Sequence, residues 1–211
     1  GDALAQQQEQ LIQLLNACVS PDEHTRKDAE TMVVQAAGAV FGFGDLLCRT
    51  AFGLDDVDGH HHLNIQTDVR QLAALLLKKY VRERWQVGEH FFIEGEPMTS
   101  VEEKQAIRGK ICAGLRMKDS KMRTACALVI AQIATHDWPE EWEGLLGELL
   151  VPIREKRDVD HVNGALRCMS MLCGDLEERQ LPKLVPELFP DLLGLLQASA
   201  EGLNGSDQDQ M

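Results

Sequence analysis

Apolar residues recur along this chain at the three- and four-residue spacing of helical faces. From Ala3 to Val19 they stand at 4, 11, 12, 14, 15, 18 and 19, which predicts one amphipathic helix. Ser20 is expected to cap a second helix, Pro21 to Ala37, with Pro21 at its first position and Glu23 in its opening turn. The segment VFGFGDLLCRTAFG predicts a helix from about Asp45, and LDDVDGHHHLN reads as a polar loop. The strongest pattern runs from Ile65 to Trp85. There Val69, Leu72, Ala73, Leu76 and Tyr80 form an i, i+3, i+4 stripe without an internal glycine or proline.

Residues 86–99 read as another loop. Ser100 caps SVEEKQAIRGKICAGLRM, with Glu103 three residues later as a capping box. Its partner, SKMRTACALVIAQIATHD, is capped by Asp119 or Ser120. In the following DWPEEW, Asp137 is expected to cap a helix that Pro139 opens. Trp138 and Trp142, four residues apart, then share one face and anchor that helix start. DVDHVNGALRCMSMLCGDL is its partner. LVPELFPDLLGLLQASA begins a last helix, with Pro186 and Pro190 disturbing its first turns. No segment shows the alternation of a β-strand.

The second helices begin near Asp22, Gln66, Ser120 and Asp158, so the offsets are 44, 54 and 38 residues. HEAT-type helical repeats recur every 40–47 residues or so. A lone helix pair cannot bury both of its apolar faces, but pairs stacked side by side share a continuous core. The expected fold is therefore all-α: a HEAT-repeat α-solenoid, a right-handed superhelical arch of antiparallel helix pairs. The repeats are placed at about 1–38, 39–86, 100–136 and 137–176, with the next starting at 181–200 and a tail at 205–211. The abrupt Gly1 and the polar end GLNGSDQDQM read as the boundaries of a fragment. The tryptophans are assigned the join between the third and fourth pairs.

Composition narrows the function. The formal net charge is −13, the reverse of a nucleic-acid footprint, and it favours basic partners over anionic membranes. No run of about 18 apolar residues exists to span a bilayer. The cysteines at 18, 48, 112, 126, 168 and 173 include no CxxC pair, and five sit in apolar helical patterns, as buried reduced thiols do. His60, His61 and His62 are adjacent in a loop. Adjacent loop histidines rarely reach one ion together, so neither a metal nor a cofactor is assigned. FGFGD lacks the spacing of a phosphate loop, and no nucleophile–base set has a supporting motif, so an enzyme is not expected.

The helix VRQLAALLLKKYVRERW resembles the N-terminal domain signature of the importin-beta (karyopherin-beta) family, through Arg70, Ala73, Leu77-Lys78, Val81 and Trp85. KMRTACALVIAQIATHDWPEEWEGLL is similar to the third repeat of these receptors, and HVNGALRCMSML to the second helix of the fourth. The domain itself is placed at about 22–100. The combination of LLKKYVRERW, DWPEEW and HVNGALR resembles a branch whose cargo is basic, histones and ribosomal proteins among it. The resemblance implies a nuclear import receptor that binds Ran-GTP through the second helices of its first repeats. It also implies contacts with Phe-Gly nucleoporins and shuttling between cytoplasm and nucleus.

On this resemblance the Ran-binding candidates are Arg26, Glu30, Gln71, Lys78, Lys79, Asp119, Lys121, Thr124 and Gln132. Arg70, Ala74 and Arg82 share the polar side of the 65–85 helix. Lys79 stands where many members of the family carry asparagine. Without the resemblance, a charged run opposite a core stripe is most often only a solvated face. Trp85, Trp138, Pro139 and Trp142 are the structural junction candidates, and tryptophans at helix junctions are more often packing anchors than partner contacts. The alternative class is a HEAT scaffold subunit for complex assembly, which shares the stacking but not the dependence on nucleotide state.

Overall fold

The computed structural model describes residues 2–53, 65–86, 97–155, 158–175 and 181–206. Among these residues the chain is all-α and HEAT-like, without a strand. The elements are α1 (Asp2–Cys18), α2 (Glu23–Ala39), α3 (Phe43–Phe52), α4 (Thr67–Arg84), α5 (Val101–Ile111), α6 (Ser120–Asp137), α7 (Leu145–Arg154), α8 (Val159–Asp175) and α9 (Leu181–Ser206). A 3-10 turn, Cys112–Arg116, extends α5. The His60–His62 loop lies outside the described residues.

Local chemistry accounts for the helix starts, with two changes to the expected caps. Asp22, not Ser20, caps α2: its Oδ2 accepts from Thr25 N at 2.8 Å and from Thr25 Oγ1 at 2.6 Å. Ser20 instead accepts from the Asp22 N–H at 3.2 Å and shapes the preceding turn. Gly42, at φ 77°, turns the chain into α3 two residues before the expected start. Ser100 accepts from Glu103 N at 3.2 Å, and Asp119 accepts from Lys121 N at 2.8 Å. The other half of the expected capping box is diverted. Glu103 reaches to the start of α3, where its Oε1 accepts from Asp45 N at 3.1 Å.

The DWPEEW segment departs from the expected helix start. Asp137 is the last residue of α6 and Trp138 its C-cap, the Trp138–Pro139 peptide is cis, and α7 begins only at Leu145. The intervening turn is held by the Asp137 carbonyl, which accepts from Glu141 N at 2.7 Å and Trp142 N at 2.9 Å. The Asp137 side chain does not cap a helix because it is engaged elsewhere. Oδ1 accepts from Trp85 Nε1 at 2.9 Å, and Oδ2 pairs with Arg108 Nη1 at 2.6 Å. Trp138 and Trp142 flank this turn with 4% and 6% of their surface exposed.

The helices form two layers. Gly44 meets Tyr80 and Gly53 meets Arg70, so α3 and α4 run antiparallel. Asp45 meets Glu103, and Phe52 lies beside Gly114, so α3 and α5 run parallel in one layer. In the other layer α4 packs on α6, and α6 on α8. Between the layers one continuous apolar core runs from Leu11 to Leu188, with Leu47, Leu77, Trp85, Ile130 and Leu145 closed to solvent. Gly164 of α8 crosses the 3-10 turn so closely that a Cβ there would lie 2.3 Å from the Leu115 carbonyl oxygen. α9 continues through Pro186 and Pro190 without a break and seats on α7, where Arg154 Nη2 pairs with Asp191 at 2.7 Å.

Two side-chain expectations change. The buried side of α4 is turned toward Ala74, Leu77 and Val81, while Leu72 and Leu76 are only partly buried. Ala74 therefore belongs to the core and not to the polar side. Of the cysteines, Cys48, Cys126 and Cys168 are buried, Cys18 and Cys112 are half-buried, and Cys173 is exposed. Burial raises the Cys126 and Cys168 thiols far above their ordinary value.

Replacing Asp137 by Ala is expected to cost about 3–5 kcal/mol, because Arg108 and the Trp85 N–H lose a buried partner. Urea unfolding of the variant against the wild type measures this, and a loss under about 1 kcal/mol would contradict the assignment.

Candidate functional site

The second helices α2, α4 and α6, with the Asp119 cap of α6, carry the polar side chains that the sequence singles out. Their orientation follows from the Trp85–Asp137 junction, which joins the C-terminal ends of the side-by-side helices α4 and α6. Leu75 stands ten residues before Trp85 on α4, and Leu128 ten before Trp138 on the adjacent α6. They are 66% and 36% exposed. Gln71, Leu75 and Lys78 share one side of α4, and Lys121, Thr124, Leu128 and Gln132 share one side of α6. The exposed leucines break the polar pattern, and an apolar side chain amid polar ones is a common feature of docking surfaces.

The candidates do not form one cluster. Arg26 Nη1 donates to the Ser20 carbonyl at 3.2 Å, which ties down the turn between α1 and α2. Glu30 is exposed on α2. Lys79 borders a groove of about 100 Å³ between α2 and α4, lined also by Val33, Val34, Phe43, Leu76 and Tyr80. Its ammonium lies 3.9 Å from Glu83, one turn along. Lys78 is half-buried on the adjoining side of α4.

Asp119, Lys121 and Thr124 gather at the N-terminal end of α6, while Gln132 lies two turns further on. Thr124 Oγ1 donates to the Ser120 carbonyl and accepts from Arg167 Nη1, both at 2.8 Å. Their neighbours Ser120 and Arg123, with Asn163, Leu166, Arg167 and Ser170 of α8, line a second and larger groove of about 610 Å³ between α6 and α8. Trp85, Trp138, Pro139 and Trp142 sit away from both grooves at the α4–α6 junction, where Lys104 Nζ also rests 5.3 Å from the Trp85 ring centre.

Electrostatics at the first groove are set from beneath. Tyr80 lines it, and its hydroxyl donates to Glu103 Oε2 at 3.3 Å. Burial, then the Glu103 charge, push the Tyr80 phenol up to about 12. Burial also raises the Glu103 carboxyl above the ordinary glutamate range, against the lowering effect of the Asp45 and Gly44 N–H groups. Among the described residues, no group of three or more His, Cys, Asp or Glu side chains is placed to hold a metal ion. No described helix is long and apolar enough to cross a membrane.

Three features escaped the sequence reading. Leu75 was hidden in an all-leucine run, and Arg167 in a segment read only for its likeness to a repeat. The third is the charge network of Asp45, Arg49, Glu103 and Lys110 that joins α3 to α5. Its partners are up to 65 residues apart, a separation that local spacing does not reveal.

Stacked helix pairs with a semi-polar outer row define a helical-repeat protein. Residues 61–116, from before α4 through the 3-10 turn, match the importin-beta N-terminal domain. The chain is 28% identical over 125 residues to importin-9 of Drosophila melanogaster, covering 59% of this chain and 12% of that protein. It is 26% identical over 158 residues to exportin-2 of Pagrus major, covering 74% of this chain and 14% of that protein. The chain thus spans about an eighth of the length of the curated relatives it matches. The similarity is thus to the N-terminal region of importin-beta-type transport receptors.

The raised Glu103 carboxyl means that the folded state favours its neutral form more than the unfolded state does. Its contribution to stability is full below the unfolded glutamate value of about 4.3 and is lost as pH rises through the folded value. Glu103→Gln removes that loss. The stability of E103Q relative to wild type is therefore expected to increase between about pH 4 and pH 7 in urea titrations. A pH-independent difference would rule out this titration.

Proposed function

We propose that this chain is the N-terminal part of a nuclear transport receptor and binds Ran-GTP through the solvent side of α2, α4 and α6. The observation that carries this reading is the family match over 61–116, which contains α4, the helix that bears Gln71, Leu75, Lys78 and Lys79. Gln71, Lys78 and Lys79 supply polar contacts, and Leu75 supplies apolar area between them. Lys121, Thr124 and Gln132 extend the surface onto α6. Arg26, Glu30 and Asp119 flank it, though Arg26 and Asp119 also hold local turns.

The direction of transport is the finer part of the proposal. The relatives include one importin and one exportin. Import is favoured by the likeness of LLKKYVRERW, DWPEEW and HVNGALR to the importin-9 branch, and by the net charge of −13, which suits basic cargo such as histones or ribosomal proteins. Contacts with Phe-Gly nucleoporins and shuttling between cytoplasm and nucleus follow from the same reading. Release of cargo by Ran-GTP requires two receptor states with different cargo affinity, and the bending of stacked repeats supplies a physical basis for them.

The test is a binding titration with Ran loaded with GTP and, separately, with GDP. Selective binding of the GTP form is expected, and the double variant Lys78→Glu, Lys79→Glu is expected to weaken it about tenfold or more. Equal retention of both nucleotide states, or of neither, would favour the scaffold class. Unchanged affinity of the double variant would remove these lysines from the contact.

A further inference from the structure

We propose that the groove between α6 and α8 is a seat for a short acidic segment of a protein partner, with Arg167 as its anion anchor. This rests on reading the row of second helices as the partner-binding surface, and it adds a site beyond the candidates named from the sequence. The groove encloses about 610 Å³ and is lined by Ser120, Arg123, Asn163, Leu166, Arg167 and Ser170. Five of the six carry hydrogen-bond donors on their side chains, and none is acidic.

The two arginines differ in what already compensates them. Arg123 is buried. Its Nη1 donates to the Met117 carbonyl at 2.6 Å and the Lys118 carbonyl at 2.8 Å, and lies 2.9 Å from Asp160 Oδ1. Its charge is therefore neutralised, and its role is to fasten the loop before α6 to α8. Arg167 is exposed and is held toward α6 by the neutral Thr124 hydroxyl at 2.8 Å. Among the described residues it pairs with no carboxylate. Asp119, the N-cap of α6, has an oxygen occupied in capping that helix. A guanidinium without a counter-charge at a groove wall, in a chain of net charge −13, is suited to bidentate recognition of a carboxylate.

The size and surroundings of the groove choose among anions. The volume far exceeds a single inorganic anion, and Leu166 adds an apolar wall suited to side-chain methylenes. A long polyanion such as nucleic acid would extend over the rest of an acidic surface and be repelled. A short acidic segment meets mainly the field within one Debye length, about 8 Å at physiological salt. Ser120 opens α6, so the first N–H groups and dipole of an 18-residue helix add to the attraction at one end of the groove.

The experiment is fluorescence anisotropy of the intact chain with a labelled octapeptide of alternating glutamate and glycine, run at low and at physiological salt. Saturable, salt-sensitive binding is expected. Arg167→Ala is expected to weaken it about tenfold, and Arg167→Lys by less. Arg154→Ala removes the same charge from α7 and is expected to leave peptide affinity unchanged. Thermal melts should show R167A as stable as wild type, since the side chain is exposed. Absence of peptide binding, equal weakening by R154A, or full displacement of the peptide by millimolar inorganic phosphate would each overturn the proposal. Ran titrations are scored separately. R167-dependent peptide binding without Ran binding would retain the acidic seat and reject the transport reading, and the reverse result would do the opposite.

Discussion

The carboxylate of Asp137 is the constraint on which the middle of the array depends. It closes α6, takes the Trp85 indole N–H from the end of α4, and takes a guanidinium nitrogen of Arg108 from α5. Three helices of two successive pairs therefore meet at one buried anion. Its own carbonyl then organises the turn that delivers Trp142 to the core. Burying a charge is favourable only when its partners are well placed. The same feature therefore holds the pairs in register and penalises any slip between α4 and α6, which would separate the partners.

Register matters because the outer row of second helices is useful only if its side chains line up. Leu75 and Leu128 lie on α4 and α6, the two helices that share that junction. Arg167 can reach Thr124 because α8 lies against α6, where Cys168 also approaches the Ala127 carbonyl. Each groove is therefore a property of two pairs and of neither alone. An acidic chain can still present local cationic points in such grooves, since screening confines each field to its neighbourhood.

The helices and their stacking were legible in the sequence because both follow from local periodicity and from the need to cover apolar faces. The face of α4 was less so: in LAALLLKK several phases of the stripe fit, and only contact with α3 and α6 places Ala74 inside and Leu75 outside. Asp137 was misread for an instructive reason. Aspartate before Trp-Pro has the appearance of an N-cap, but two buried donors from residues 29 and 52 positions earlier claim its side chain. Glu103 repeats the lesson, since the spacing of its capping box is correct yet its carboxylate serves α3 and Tyr80. Long-range polar pairing leaves no periodic trace, and the Arg167–Thr124 bond between α8 and α6 is of that kind.

The approach of Gly164 to the Leu115 carbonyl oxygen limits how this array can vary. The absent side chain acts as a fixed spacer of zero thickness between the third and fourth pairs. Any larger residue would push α8 outward at that height and tilt every pair stacked beyond it. Because a small rotation at one joint is magnified along a solenoid, a single hydrogen-for-methyl exchange here would redirect the far end of a long arch. Diversity in reach or curvature is therefore more accessible at other joints, where neighbouring helices meet through side chains that can repack.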